Sequence, residues 1–145
     1  MTEAERLDRI EAHIDIADLL HAYARMVRRD QPERVSTLFA PGGTFEIRDG
    51  YPDRPDFTVR ERLESPEALR AYLLPGKGKP HPIPLIRNLM IEVEGDTATA
   101  NAMMDGPIMG TNHRVFGEYL DSFVRHEGRW LFAARIFTIY NANAS

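Results

Sequence analysis

From Leu85 onward the chain reads as paired strands, and this constrains what the earlier residues can do. Leu85–Val93 and Thr97–Met104 flank Glu94-Gly95-Asp96, and Val115–Arg125 and Trp130–Tyr140 flank Glu127-Gly128. Each is a strand–turn–strand pattern with Gly at the reversal. Asp105-Gly106-Pro107 breaks the second strand. The residues before this meander are helical instead. Leu7, Ile10, Ile14, Ala17, His21 and Ala24 recur at helical spacing, with Leu20 and Val27 widening the stripe and Thr2 as the cap. Asp30-Gln31-Pro32 ends that helix, and a second runs from Pro32 to Phe39. Pro41-Gly42-Gly43 then turns the chain into a strand at Thr44–Ile47. Ser65-Pro66-Glu67 opens a third helix to about Leu74, with Ser at the cap and Pro at the first position. Helices followed by a meander predict an α+β fold with an antiparallel sheet.

Two stretches lack periodicity. Residues 48–64 are polar and Pro-rich, a loop with a short strand at Phe57–Val59. Residues 75–84, PGKGKPHPIP, hold four of the ten prolines. They can be neither helix nor central strand and read as a pocket rim or a solvated connector.

The length, 145 residues, predicts one domain spanning 1–145. Hydrophobic residues make up 43% and charged ones 28%, enough for an ordinary core. A net charge of −4 argues against nucleic acid or an acidic membrane as partner. No apolar run reaches membrane-spanning length, and the charged N-terminus is unlike a secretory signal, so a cytoplasmic protein is expected. There is no Cys, hence no thiolate chemistry, and no His spacing typical of metal ligation. Neither a metal nor a cofactor is expected.

Period-two alternation assigns the faces. With Glu94-Gly95 as a two-residue turn, Ile86, Asn88, Met90, Asn101 and Met103 share one face. Leu89, Ile91, Val93, Ala98, Ala100 and Ala102 share the other. In the second hairpin, Leu131, Ala133, Arg135, Phe137 and Ile139 lie together, with Leu120 opposite Arg135 and Glu118 diagonal to it. Tyr119, Phe123, Trp130, Phe132 and Ile136 form the reverse face. An apolar patch of that size calls for a partner, and a homodimer packed through it is expected.

Three blocks carry a family resemblance: YARMVRRDQPERVSTLFAPGGTF, RNLMIEVEGDTATA and GEYLDSFVRHEGRWLFAARIF. In this order they resemble the signature blocks of the SnoaL-like polyketide cyclases, members of the nuclear transport factor 2-like superfamily. The resemblance implies a cone-like half-barrel of curved antiparallel sheet, closed by the N-terminal helices around an internal apolar pocket. Enzymes of this kind often use an Asp–His dyad. The Asp position, five residues after the Tyr of the first block, is Arg28 here. The His position, four before the Asn of the second block, is Pro84. The Arg of W-x-x-x-x-R is matched by Arg135.

With the dyad missing, other residues take the candidate roles. Arg135, on an apolar strand face, meets a ligand or forms an internal pair with Glu118 or Asp121. Tyr23, Asn88, Asn101, Asp105, His81 and His113 are the remaining catalytic candidates. Ile86, Met90, Met103, Met104, Glu118, Leu120 and Phe137 are the expected substrate wall, with methionines suiting irregular ligands. Three functions fit. One is a cyclase or isomerase that folds a small apolar, polyketide-like intermediate, with a [4+2]-type ring closure as one form. A second is a non-catalytic ligand binder or assembly module. A third is a dehydratase or isomerase using a rim His or Asp as acid and base.

Overall fold

The computed structural model describes residues 1–140. Helix α1 (Glu3–Arg28) is capped by the Thr2 side chain, which accepts from the Glu5 amide. Helix α2 (Pro32–Val35) continues as a 3-10 turn at Ser36–Leu38. Strand β1 follows (Phe39–Gly50), then β2 (Phe57–Leu63) and α3 (Pro66–Leu73), which is capped by Ser65. The meander is β3 (Leu85–Glu94), β4 (Thr97–Pro107), β5 (Arg114–His126) and β6 (Arg129–Tyr140). One sheet runs in the order β2-β1-β6-β5-β4-β3. Every pair is antiparallel except β1 and β6.

The expected α+β architecture holds, with local differences. The second helix ends early because β1 starts at Phe39. Pro41-Gly42-Gly43 lies within that strand as an irregularity, in which Phe39 pairs with Phe132 and Thr44 already pairs with Ala134. A side chain at Gly43 would meet the Ala40 and Phe132 carbonyls at 2.9 and 3.1 Å, so this close crossing needs glycine. Further register breaks fall in the β1/β2, β3/β4 and β5/β6 pairs. Such bulges bend strands and increase their twist, which curves the sheet around the helices.

Those bulges also decide which side chains face inward. The Glu127-Gly128 turn is as predicted, with His126 opposite Arg129 and Phe123 opposite Phe132. Ser122 then pairs with Ala134, so Ala133 is the extra residue. Beyond it every side chain of β6 changes face. Arg135 joins Tyr119 and Phe132 on the inner side, opposite Asp121, and Leu120 faces Ile136 instead. In the first hairpin Glu94 pairs with Thr97, a slip of two residues from the predicted register. A slip of two leaves the faces unchanged. A bulge between Arg87 and Met90, with Asn88 at φ 54°, then turns Ile86 to the opposite side, level with Met104.

The face expected to seek a partner is therefore the core. Tyr119, Phe123, Trp130 and Phe132 are all buried within the chain, with Ala98, Ala100 and Ala102 beside them. Helix α1 lies across β3 and β6 and buries Ala12, Ile16, Leu19, Leu20 and Tyr23. The predicted stripe is corrected here: Leu7, Ile10 and Ile14 are more than half exposed. The helix carries two apolar ridges, and the one ending in Tyr23 is the buried one and shares the core cluster with these alanines. Each large side chain buried there contributes about 1.5–3 kcal/mol. Among the described residues no helix is long and apolar enough to cross a membrane.

Candidate functional site

An apolar cavity of about 250 Å³ lies between the C-terminal half of α1, α3 and the inner sheet face. Its buried walls are Tyr23, Val35, Phe45, Met104 and Tyr119, with Ile47 and Phe137 beside them. Its more open side is formed by Val27, Asp30, Pro32, Gly76, His81 and Pro82. The mouth is thus framed by the end of α1 and the Pro-rich segment 75–84, the rim reading of that segment.

Backbone and side-chain bonds hold this rim. The His81 ring nitrogens lie 2.8 Å from the Val27 carbonyl and 2.9 Å from the Lys79 carbonyl. The Gly78 amide donates to Asp30, and Lys77 pairs with Glu33 at 2.9 Å. Asp30 itself sits at φ 55°, a left-handed position that Asp tolerates better than most residues. Both nitrogens of His81 face protein carbonyls, so the ring ties segment 75–84 to α1 and offers no free nitrogen to a ligand.

Two phenols are the notable polar groups inside. The Tyr23 ring stacks on Phe45 with centroids 6.4 Å apart and meets Tyr119 edge-on at 6.1 Å. Neither hydroxyl bonds to another group among the described residues. Burial pushes both phenols up from their ordinary pKa, against the lowering pull of Arg135. They are neutral O–H donors near neutral pH and poor bases.

Arg135 lies beside the cavity without lining it. It is fully buried, its Nε 3.1 Å from Asp121 Oδ1. Its guanidinium carbon is 3.5 Å from the centre of the Tyr119 ring, 4.1 Å from Tyr23 and 4.9 Å from Phe132. Among the described residues none of its three nitrogens has a hydrogen-bond partner of adequate geometry. A cage of ring faces and one carboxylate replaces water around this cation. Of the two sequence readings, the ion pair is the one found, with Asp121 as the partner.

The cavity gathers Tyr23, Met104, Phe137 and His81 from the predicted set. The other predicted residues lie elsewhere. Met90, Asn101, Met103, Glu118 and Leu120 are on the outer sheet face, because the alanine face turned inward. Met90 is 71% exposed there, and Asn101 donates to Glu118 and to the Tyr119 carbonyl. Asn88 is exposed in its bulge. Asp105 is held by Arg114 at 2.7 and 2.8 Å, and His113 is exposed in the β4–β5 connection. Ile86 lines a different cleft. Sequence reasoning missed Tyr119, Phe45, Ile47, Val35 and Leu73. The alternation on β5 could have found Tyr119 once its face was known to be the inner one.

The helix-capped curved sheet has the cystatin-like, nuclear transport factor 2-like fold. Within it, the SnoaL-like domain model matches residues 8–136, and the chain belongs to that family. No curated protein matches the sequence. Among solved structures, a Mycobacterium tuberculosis protein of unknown function is 22% identical, with TM-score 0.77 over 96% of this chain and 76% of that one. A Novosphingobium aromaticivorans protein described as the β subunit of a candidate aromatic-ring-hydroxylating dioxygenase is 20% identical, with TM-score 0.75 and 94% of each chain covered. A candidate scytalone dehydratase from the same organism is 17% identical, with TM-score 0.69 over 90% and 85%. At these identities the likeness concerns the fold.

Proposed function

We propose that the cavity binds a small, largely apolar molecule of one or two rings and promotes its isomerisation or cyclisation as a template. The observation that carries this is an apolar cavity with two buried, neutral phenol hydroxyls that have no hydrogen-bond partner among the described residues. A cavity of about 250 Å³ falls just below the roughly 300–1,000 Å³ of drug-sized sites. It suits a short polyketide-like ketone better than a four-ring product. Tyr23 and Tyr119 donate to the ligand's carbonyl or enol oxygen as charge builds on it, while the apolar wall holds the reactive conformer. Arg28 and Pro84 stand at the dyad positions, the His81 ring is engaged, and Asp30, the carboxylate at the mouth, accepts from the Gly78 amide, so among the described residues the buried walls carry no base. The same fact supports a second reading, a binding module without turnover.

The test is calorimetric titration with a bicyclic ketone such as 1-tetralone. Binding will saturate at one site per chain. Tyr23→Phe and Tyr119→Phe will each weaken it by roughly two- to tenfold, the worth of one neutral hydrogen bond. Full affinity in both variants would refute the anchoring role. Turnover, once a substrate is in hand, will vary little between about pH 5 and 9; a single titration there would restore acid–base catalysis.

We also propose a homodimer, through the outer sheet face. Met90 and Leu120, 71% and 42% exposed, border a shallow groove with Asn101, Ser122, Ala134 and Ile136. Glu92 also lines this groove, so when a two-fold axis sets the patch against itself the apolar Met90 and Leu120 side chains carry the association. Leu120→Arg will yield a folded monomer in sedimentation experiments at micromolar concentration. A wild-type chain that is already monomeric would rule the dimer out. Phe132→Glu, in contrast, buries a charge in the core and will unfold the chain.

A further inference from the structure

Pro84 walls the apolar cavity and also a second, more superficial cleft of about 490 Å³. His21, Arg25 and Arg28 line that cleft from α1, and Arg87 reaches it from β3. Steps of four and three residues put the first three on one helix face. No carboxylate of the described residues lines the cleft, although the chain as a whole carries a net charge of −4. Arg25 and Arg28 are exposed and have no ion-pair or hydrogen-bond partner among the described residues. Arg87 stands 3.6 Å from Asp105, but Arg114 already grips that carboxylate with two bonds, at 2.7 and 2.8 Å.

Like charges at this spacing repel and cost helix stability. The C-terminal end of α1 eases the cost for Arg25 and Arg28, since cations are favoured there. It does not account for Arg87, which converges from another element. We propose that this cleft is a binding site for a phosphoryl group, as a phosphate monoester or a pyrophosphate. Guanidinium forks match phosphate oxygens in pairs. The charge count selects the class: a monocarboxylate neutralises one of three guanidiniums, whereas a phosphate monoester brings about −1.5 to −2 and a pyrophosphate more. The site stands apart from the phenols of the cavity, and the proposal holds whatever the cavity binds.

Inorganic pyrophosphate, phosphate and acetate, each titrated into the full chain, test it, followed by calorimetry and by the NMR signals of His21. Pyrophosphate will bind saturably at one site per chain and shift His21, with affinity falling as salt rises. Acetate will bind at least about tenfold more weakly. Arg25→Gln/Arg87→Gln, at two exposed positions, will keep the native circular dichroism and lose pyrophosphate affinity by at least about tenfold. No saturable binding at millimolar pyrophosphate would overturn the proposal. Affinity unchanged in the double variant would overturn it too, and acetate binding as tightly as pyrophosphate would overturn the phosphoryl class.

Discussion

Arg135→Ala will cost about 3–5 kcal/mol of stability, enough to unfold a marginal domain, because it leaves the Asp121 carboxylate buried without its cation. Asp121→Ala will act similarly from the other side, stranding a guanidinium whose remaining neighbours are ring faces. The pair is not required for the fold as such. Replacing both by apolar groups of similar shape, Asp121→Leu with Arg135→Met, will restore much of the loss, since desolvating two charges offsets most of their attraction. Chemical denaturation of the four proteins measures this. If Arg135→Ala kept wild-type stability while ligand binding collapsed, the pair would be functional and its structural reading wrong.

The same carboxyl gives a pH signature. Burial pushes Asp121 up to about 6 from its ordinary 3.8, with Arg135 pulling it down. Between about pH 4 and 6 the folded chain therefore holds a proton that the unfolded chain has released. Because the folded state binds more protons there, this group's contribution to stability grows as pH falls from 6 toward 4 and is lost as pH rises through 6. The swing is on the order of 3 kcal/mol. It will be missing from the Asp121→Leu/Arg135→Met chain, and the difference between the two pH–stability curves isolates it.

The architecture was legible because its signals are local. Thr2 and Ser65 cap helices, and Glu127-Gly128 fixes a hairpin register, each through chemistry that spans a few residues. The site was less legible because it hangs on parity. Ala133 adds one residue to β6, and with period two that single residue moves Arg135, Phe137 and Ile139 across the sheet. Nothing about an alanine between Phe132 and Ala134 announces a bulge. On the first hairpin the faces were grouped correctly except for Ile86, which the bulge at Asn88 turns over, and which face turns inward was not determined. Both were apolar enough to pack, and the alanine face is the one that joins the core cluster with the buried face of α1. Cavity residues such as Phe45 and Leu73 come from elements that only the tertiary fold brings together.

Val27→Trp will close the cavity. Val27 is half-buried on the last turn of α1, at the mouth, where an indole can enter the space without displacing the core. Its backbone carbonyl still accepts from His81, so the rim stays tied. Overpacking at such a partly open position costs about 1–3 kcal/mol at most, and the variant will fold. Binding of 1-tetralone will fall below detection by calorimetry, because the ring fills much of a cavity of only about 250 Å³. Leu74→Trp is the control: Leu74 is 39% exposed and does not line the cavity, and this change will leave affinity intact. Pyrophosphate binding in the cleft beside Arg25 and Arg87 will survive Val27→Trp, which separates the two sites. If the ketone bound Val27→Trp as tightly as the wild type, the cavity would not be its site. The neutral phenols of Tyr23 and Tyr119 would then lose their claim to anchor a ligand there.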